Sequence, residues 1–278
     1  MIKLGKYNTL TAARETANGI YLKDEKGQEV LLPNKLVPKD LELGQQLEVF
    51  VYNDSEDRPT ATTQQPKIQL NQFGYLKVNE VNRFGAFLDW GLDKDLMVPF
   101  KEQAKKMEEG RWYFVYLYLD EETNRLAASA KLSRFFKNKE VDLQVGQEVD
   151  LLINFRTDLG VNVIINNRYK GLIYKNDIFQ QIRPGDRCKG YIKLIRPDKK
   201  IDVTLRQEGY GKVPDGAHKI IEKLKQHDGF LALSDKSDPE EIYAQLGMSK
   251  KTFKKAIGGL YKRRMIRIEK DGVYLTEV

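Results

Sequence analysis

A mainly β chain that ends in helices is predicted by three observations. Up to about residue 211, short apolar runs alternate with polar positions at a period of two, the pattern of half-buried strands. The same order of strands and glycines returns three times in that stretch. Beyond it the apolar spacing becomes i, i+4, i+7 and i+8, the stripe of an amphipathic helix.

The repeat is set by its glycines. Gly19, Gly85 and Gly160 each open a strand, and Gly44, Gly110 and Gly185 follow 25 residues later in every copy. Fourteen residues after the first glycine, a short apolar strand closes at Pro33 (VLLP), Pro99 (LMVP) or Tyr174 (GLIY). Longer strands follow the second glycine, LEVFVYND, WYFVYLYLD and CKGYIKLIRPD, and a last strand closes each copy, TATT, RLAASA or IDVTL. The periods of 66 and 75 residues between first glycines are too long for a solenoid unit and suit a small closed β domain. Each copy counts to five strands, with a short helical stretch after the third, clearest over residues 101–108. Five short strands closing on themselves make an OB-type barrel.

The last part of the chain predicts a winged helix. A first helix is expected near residues 217–225. Ser237-Asp238-Pro239-Glu240-Glu241 is a helix start, with a capping side chain, proline where no N–H is missed, and acids at the positive end of the dipole. Gly247 stops that helix and Ser249 can cap the next, whose Phe253, Ile257, Leu260 and Tyr261 form one buried face. Two helices joined by GMS read as a helix-turn-helix. Residues 265–268 and 273–275 then alternate around Asp271-Gly272, a two-residue hairpin signal.

Composition narrows the chemistry. The single cysteine, Cys188, closes no internal disulfide, and with only His218 and His227 besides, no zinc finger or His-rich metal centre can be assembled. No metal, no cofactor and no catalytic residues are expected. No signal peptide opens the chain, and no apolar run approaches the ~20 residues of a membrane span, so a cytoplasmic protein without a membrane partner is expected, as a monomer. The net charge is +7, from 47 Lys and Arg against 40 Asp and Glu. By segment the net is −2 for residues 1–66, 0 for 67–133, +5 for 134–211 and +4 for 212–278.

The second copy carries a family resemblance. Gly74-Tyr-Leu-Lys-Val-Asn-Glu-Val, then Phe84-Gly85-Ala86-Phe87-Leu88-Asp89, Leu96-Met97-Val98-Pro99, Gly110, and Asp120 through Arg125-Leu-Ala-Ala-Ser resemble an S1 RNA-binding domain. The whole chain resembles the conserved virulence factor B, or YitL-like, family of bacterial S1 proteins. The implied architecture is three tandem S1-like OB-fold barrels, residues 1–66, 67–138 and 139–211, followed by a C-terminal winged-helix domain, residues 212–278.

Single-stranded RNA binders pair a basic groove with aromatic faces on which bases stack. In the second copy the resemblance places Phe84 and Phe87 toward the ligand, with Arg83, Lys94 and Lys101 nearby. Pro99 stands where S1 domains usually carry a histidine donor. The first copy has Asn18 and Tyr21 at the two Phe positions and the third has Leu159 and Asn162, so neither keeps the stacking pair. The third keeps Tyr174 at the histidine position, with Arg168, Tyr169, Lys170 and Lys175 around it.

The second helix of the helix-turn-helix carries the charge. Between Ser249 and Arg267 stand eight bases and no acid: Lys250, Lys251, Lys254, Lys255, Lys262, Arg263, Arg264 and Arg267. Lys251, Lys255, Gly258 and Lys262 lie along the face opposite Phe253 and Leu260. Because Lys and Arg neutralising phosphates supply most sequence-independent affinity, the third copy and the winged helix are expected to form the main binding surface for single-stranded RNA, with copy two adding stacking. The resemblance implies a bacterial post-transcriptional regulator of gene expression, including virulence genes in some relatives. Two alternatives stand beside it. One is a winged-helix transcription regulator on duplex DNA; the other is an S1-type accessory to a ribonuclease or the ribosome.

Overall fold

The computed structural model describes residues 1–206, 216–262, 265–269 and 271–276. It divides into two compact units, Met1–Leu205 and Arg206–Val278.

The first unit holds the three copies. Copy one runs β1 (Lys6–Thr16), β2 (Gly19–Lys23), β3 (Glu29–Pro33), β4 (Gln46–Asn53) and β5 (Pro59–Thr62). Copy two runs β6 (Phe73–Asn82), β7 (Gly85–Asp89), β8 (Leu96–Pro99), β9 (Trp112–Asp120) and β10 (Arg125–Ser129). Copy three runs β11 (Glu148–Arg156), β12 (Gly160–Ile165), β13 (Tyr169–Tyr174), β14 (Arg187–Ile195) and β15 (Ile201–Thr204). Copies one and three are closed barrels in the order β1-β2-β3-β5-β4 and β11-β12-β13-β15-β14, each closed by a parallel pair, β3 with β5 and β13 with β15. Copy two keeps the same strand order, but its sheet stays open between β8 and β10, which lie side by side. Closure of all three sheets, expected from the strand count, is thus met by ladders in two.

The glycine frame has a physical cause. Gly19 pairs with Pro33, Gly85 with Pro99 and Gly160 with Tyr174. At each of the three, an added Cβ would land on the carbonyl oxygen of the facing strand, that of Leu32, Val98 or Ile173. The second glycines turn the chain with positive φ, +90° at Gly44, +75° at Gly110 and +94° at Gly185. Each then donates its N–H to one residue of the first strand, Ala12, Val78 or Ile153, at 2.8, 2.9 and 2.8 Å. A β-bulge begins at that same residue in all three copies. Gly160→Ala is therefore expected to cost about 1–3 kcal/mol through forced strand separation, read as a lower urea midpoint. An unchanged midpoint would show that β12 and β13 can part freely.

The helix expected over residues 101–108 is only a 3-10 turn, Phe100–Glu102, matched by Asn34–Leu36 and Lys175–Asp177 in the other copies. No long apolar face calls for more: Met107 alone of residues 104–109 is buried.

Neighbouring copies share cores. Phe50 and Tyr52 of copy one pack edge-on against Trp90 of copy two, at 5.8 and 6.3 Å between ring centroids. Copies two and three meet through Phe73, Phe114, Leu152 and Ile164, with Phe135 and Phe136 of the connecting segment packed against them.

The second unit has α1 (Ala217–Gln226), β16 (Phe230–Leu231), α2 (Pro239–Leu246), α3 (Lys250–Lys262), β17 (Ile266–Ile268) and β18 (Val273–Leu275). The strands form one sheet in the order β16-β18-β17. Asp238 caps α2 through the Glu240 N–H at 2.8 Å, and Gly247 ends it in the left-handed region. Ser249 accepts from the Thr252 N–H at 3.2 Å at the start of α3. Phe253, Ile257 and Leu260 are buried as expected, joined by Ala256, but Tyr261 is exposed. Its 100° offset from Leu260 carries it off the packed stripe. The β17–β18 ladder ends at Ile268 opposite Val273, a longer connection than the two-residue turn. Gly272 serves close approach instead, since a Cβ there would land on the Leu231 carbonyl.

Candidate nucleic-acid interface

The three copies present chemically different versions of one surface. The residue that ends the β-bulge is Arg14 in copy one, Glu80 in copy two and Arg156 in copy three, and it pairs across the ladder with Tyr21, Phe87 or Val161.

In copy one this surface is occupied by the protein itself. The Arg14 guanidinium lies 3.8 Å over the Tyr21 ring and pairs with Glu29 at 2.7 Å. The hydrogen bond from Arg14 holds the Glu29 carboxyl below its usual range. A base seeking the Tyr21 face meets a neutralised ion pair.

In copy two Phe84 is 58% exposed and carries the Arg83 guanidinium on its ring, at 4.7 Å. Phe87 is half-buried between Glu80 and Met97 on the neighbouring strands. Asn82 ties the approach together, accepting from the Phe84 N–H at 3.0 Å and donating to Glu80 at 2.9 Å. Phe100 and Lys101 are exposed on the 3-10 turn beyond. The aromatics are in place, but Glu80 sets a carboxylate directly opposite Phe87 on the ladder. Lys94 has a different role. Its ammonium bonds the Asp54 carbonyl at 2.6 Å and pairs with Asp57 at 3.7 Å, fastening copy two to copy one.

Copy three is basic at the same place. A shallow groove of about 230 Å³ is lined by Arg156, Thr157, Gly160, Val161, Lys175 and Ile178. Arg156, Lys170 and Lys175 are exposed. Tyr174 is half-buried, with Arg196 over its ring at 5.7 Å and bonded to its hydroxyl, and Asp202 holding Arg196 at 2.9 Å. Tyr169 is a core residue, 1% exposed, its hydroxyl bonded to Asp142, so its ring has no face for a base. Arg168 is exposed and pairs with that same Asp142 at 2.8 Å. Period two explains the difference: on β13, Tyr169 points into the barrel and Lys170 out. Arg156, which lines the groove, was not singled out from the sequence; its alignment with Arg14 and Glu80 at the bulge is the signal.

On α3, Lys251, Lys254 and Lys255 are exposed, and no ion pair among the described residues involves them. Lys250 is half-buried and bonds the Lys236 carbonyl at 3.3 Å. No described residue stands within 4 Å of the position a Cβ would take on Gly258, so a phosphate could reach the backbone there. Arg263, Arg264 and the side chain of Lys262 lie outside the described residues. Elsewhere, burial and then Asp186 push the Cys188 thiol up, which leaves it a poor nucleophile.

Two protein families match parts of the chain. An S1 domain family matches residues 4–64 and 72–131, and a CvfB-like winged helix domain family matches residues 218–275. The chain is a homologue of conserved virulence factor B. It is 27% identical to the protein of that name from Staphylococcus saprophyticus over 267 residues, covering 92% of this chain and 89% of the relative. It is also 27% identical to the uncharacterized protein YitL of Bacillus subtilis over 283 residues, covering 97% and 93%. A solved multidomain protein with nucleic acid binding domains from Streptococcus pneumoniae is 24% identical, covers 98% of both chains and has a TM-score of 0.42. S1 and winged-helix domains together make nucleic acid the partner of this homologue.

Proposed function

We propose that the protein is a non-catalytic binder of single-stranded RNA in the cytoplasm, acting as a monomer and regulating gene expression after transcription, in the manner that the name of its virulence-factor relatives suggests. The observation that carries this reading is where exposed cations stand outside the ion pairs of the described residues: Lys251, Lys254 and Lys255 on α3, and Arg156, Lys170 and Lys175 around the copy-three groove. Copy one offers a filled face and copy two an aromatic one with a carboxylate, so copy three and the winged helix supply the grip and copy two adds stacking.

Single strands are favoured over duplex DNA by the exposed Phe84 ring of copy two, because a base can stack on an aromatic face only when it is unpaired. The exposed face of α3 offers lysines, which grip phosphate whatever the sequence. Competition decides between them. Labelled single-stranded RNA bound to the full chain should resist displacement by an equal concentration of duplex DNA, and it should stay intact with magnesium or manganese. Efficient displacement by duplex would favour the transcription-regulator reading, and RNA degradation would make the protein an enzyme.

A further inference from the structure

The outer side of β6 and β9 carries three successive cross-strand pairs, Phe73 with Tyr116, Tyr75 with Phe114, and Lys77 with Trp112. Directly opposed residues project from the same face of a sheet, so these side chains form one band. The connecting segment and copy three cover most of it. Phe136 stacks on Phe73 at 4.9 Å, Phe135 on Tyr116 at 4.0 Å, and Phe155 meets Phe114 edge-on at 5.0 Å. The band then emerges into solvent at Trp112, whose ring lies 5.4 Å from Tyr75 and is still 45% exposed. Phe155, 50% exposed, reaches the same Tyr75 ring at 6.3 Å. Two aromatic rings therefore stand half out of the seam, on a support that is already packed. Gly185 packs closely against that support, where a Cβ would come within 2.5 Å of Tyr75.

The rim is basic. Lys77 lies opposite Trp112 on the ladder, Arg111 precedes Trp112 and pairs with Glu108 at 2.8 Å, and Arg156 follows Phe155 and lines the copy-three groove. A flat, supported indole beside cations suits an unpaired base with its phosphate better than an apolar protein helix. We propose that Trp112 and Phe155 form a second stacking platform for single-stranded RNA at the seam of copies two and three, leading the strand toward Arg156 and the groove. It is separate from Phe84 and Phe87, which belong to β7 and its approach. The inference rests on the RNA-binding reading above.

The chain supplies its own probe. It has two tryptophans, Trp112 and Trp90, and Trp90 is 2% exposed. The full chain is titrated with end-labelled twelve-nucleotide uridine and adenosine RNAs, and label anisotropy is followed together with tryptophan fluorescence. Binding should quench fluorescence in step with anisotropy, and Trp112→Phe should remove the quench while binding persists. Trp112→Ala and Phe155→Ala should each weaken binding about 5- to 150-fold, the value of one stacked base, at an unchanged salt slope and with unchanged circular dichroism. Binding seen by anisotropy without quenching, and with the affinity of Trp112→Ala unaltered, would overturn the platform and leave the patch to a protein partner. No anisotropy change with the unaltered chain would instead remove the RNA-binding reading itself, and the platform with it.

Discussion

Changing Lys251, Lys254 and Lys255 together to glutamine is expected to weaken single-stranded RNA binding about a hundredfold at 0.1 M salt. The figure follows from counterion release. Each phosphate contacted on a single strand contributes about 0.7 to the log–log salt slope, so one decade of salt below 1 M gives each contact about fivefold, and three contacts about a hundredfold. The three side chains are exposed and outside the ion pairs of the described residues, so their charge is free for a ligand and its removal leaves the core of α3 intact. Glutamine is close to lysine in helix propensity. Lys250 is kept because its ammonium already bonds the Lys236 carbonyl. Anisotropy titrations across a salt series should show the slope falling by about two. A variant with the parental slope and affinity would take α3 out of the interface and leave the copy-three groove as the grip.

The repeat was legible because its glycines answer a steric demand. Only glycine lets β2, β7 and β12 come so close to the next strand, and that demand leaves the same letter at the same offset in each copy. The helix caps were legible for a similar reason, since Asp238 and Ser249 meet local N–H groups within three residues. What could not be read was any property set by residues distant in sequence. Lys94 looked like a free base beside the S1 aromatics, but the Asp54 carbonyl that holds it is 40 positions away. Tyr169 and Lys170 differ only in which way one residue of a strand points, and the register of β13 decides that. Arg14 was invisible as the occupant of the copy-one face because it needs Glu29 on another strand. Trp112 reads as one more apolar letter in a strand, and it stands half in solvent where the cover from the connecting segment and copy three ends. The candidate site was therefore legible by residue type and by copy, while its sorting into fasteners, core and free cations came from the fold.

Phe73→Ala should cost more stability than any surface change, about 3–5 kcal/mol. Phe73 is fully buried between two barrels, stacked on Phe136 at 4.9 Å and edge-on to Tyr116 at 4.7 Å. Its backbone is tied to copy three as well, the N–H donating to Asn167 at 3.1 Å and the carbonyl accepting from Arg187 at 3.2 Å. The alanine keeps those backbone bonds and loses the ring, so the loss isolates aromatic packing at the seam. Relaxation is limited because Tyr116 is itself held, by Phe135 stacked on it at 4.0 Å and by the strand ladder, and a rigid cavity costs more than one that collapses. In urea, the variant should show a separate early transition as copy three parts from copy two, with the winged-helix unit unfolding as before. A single transition at the parental midpoint would mean that the seam contributes little and that each barrel stands on its own core. The same variant links stability to function: if the seam also holds Tyr75 under Trp112, RNA affinity should fall with it even below the urea concentration where any barrel unfolds.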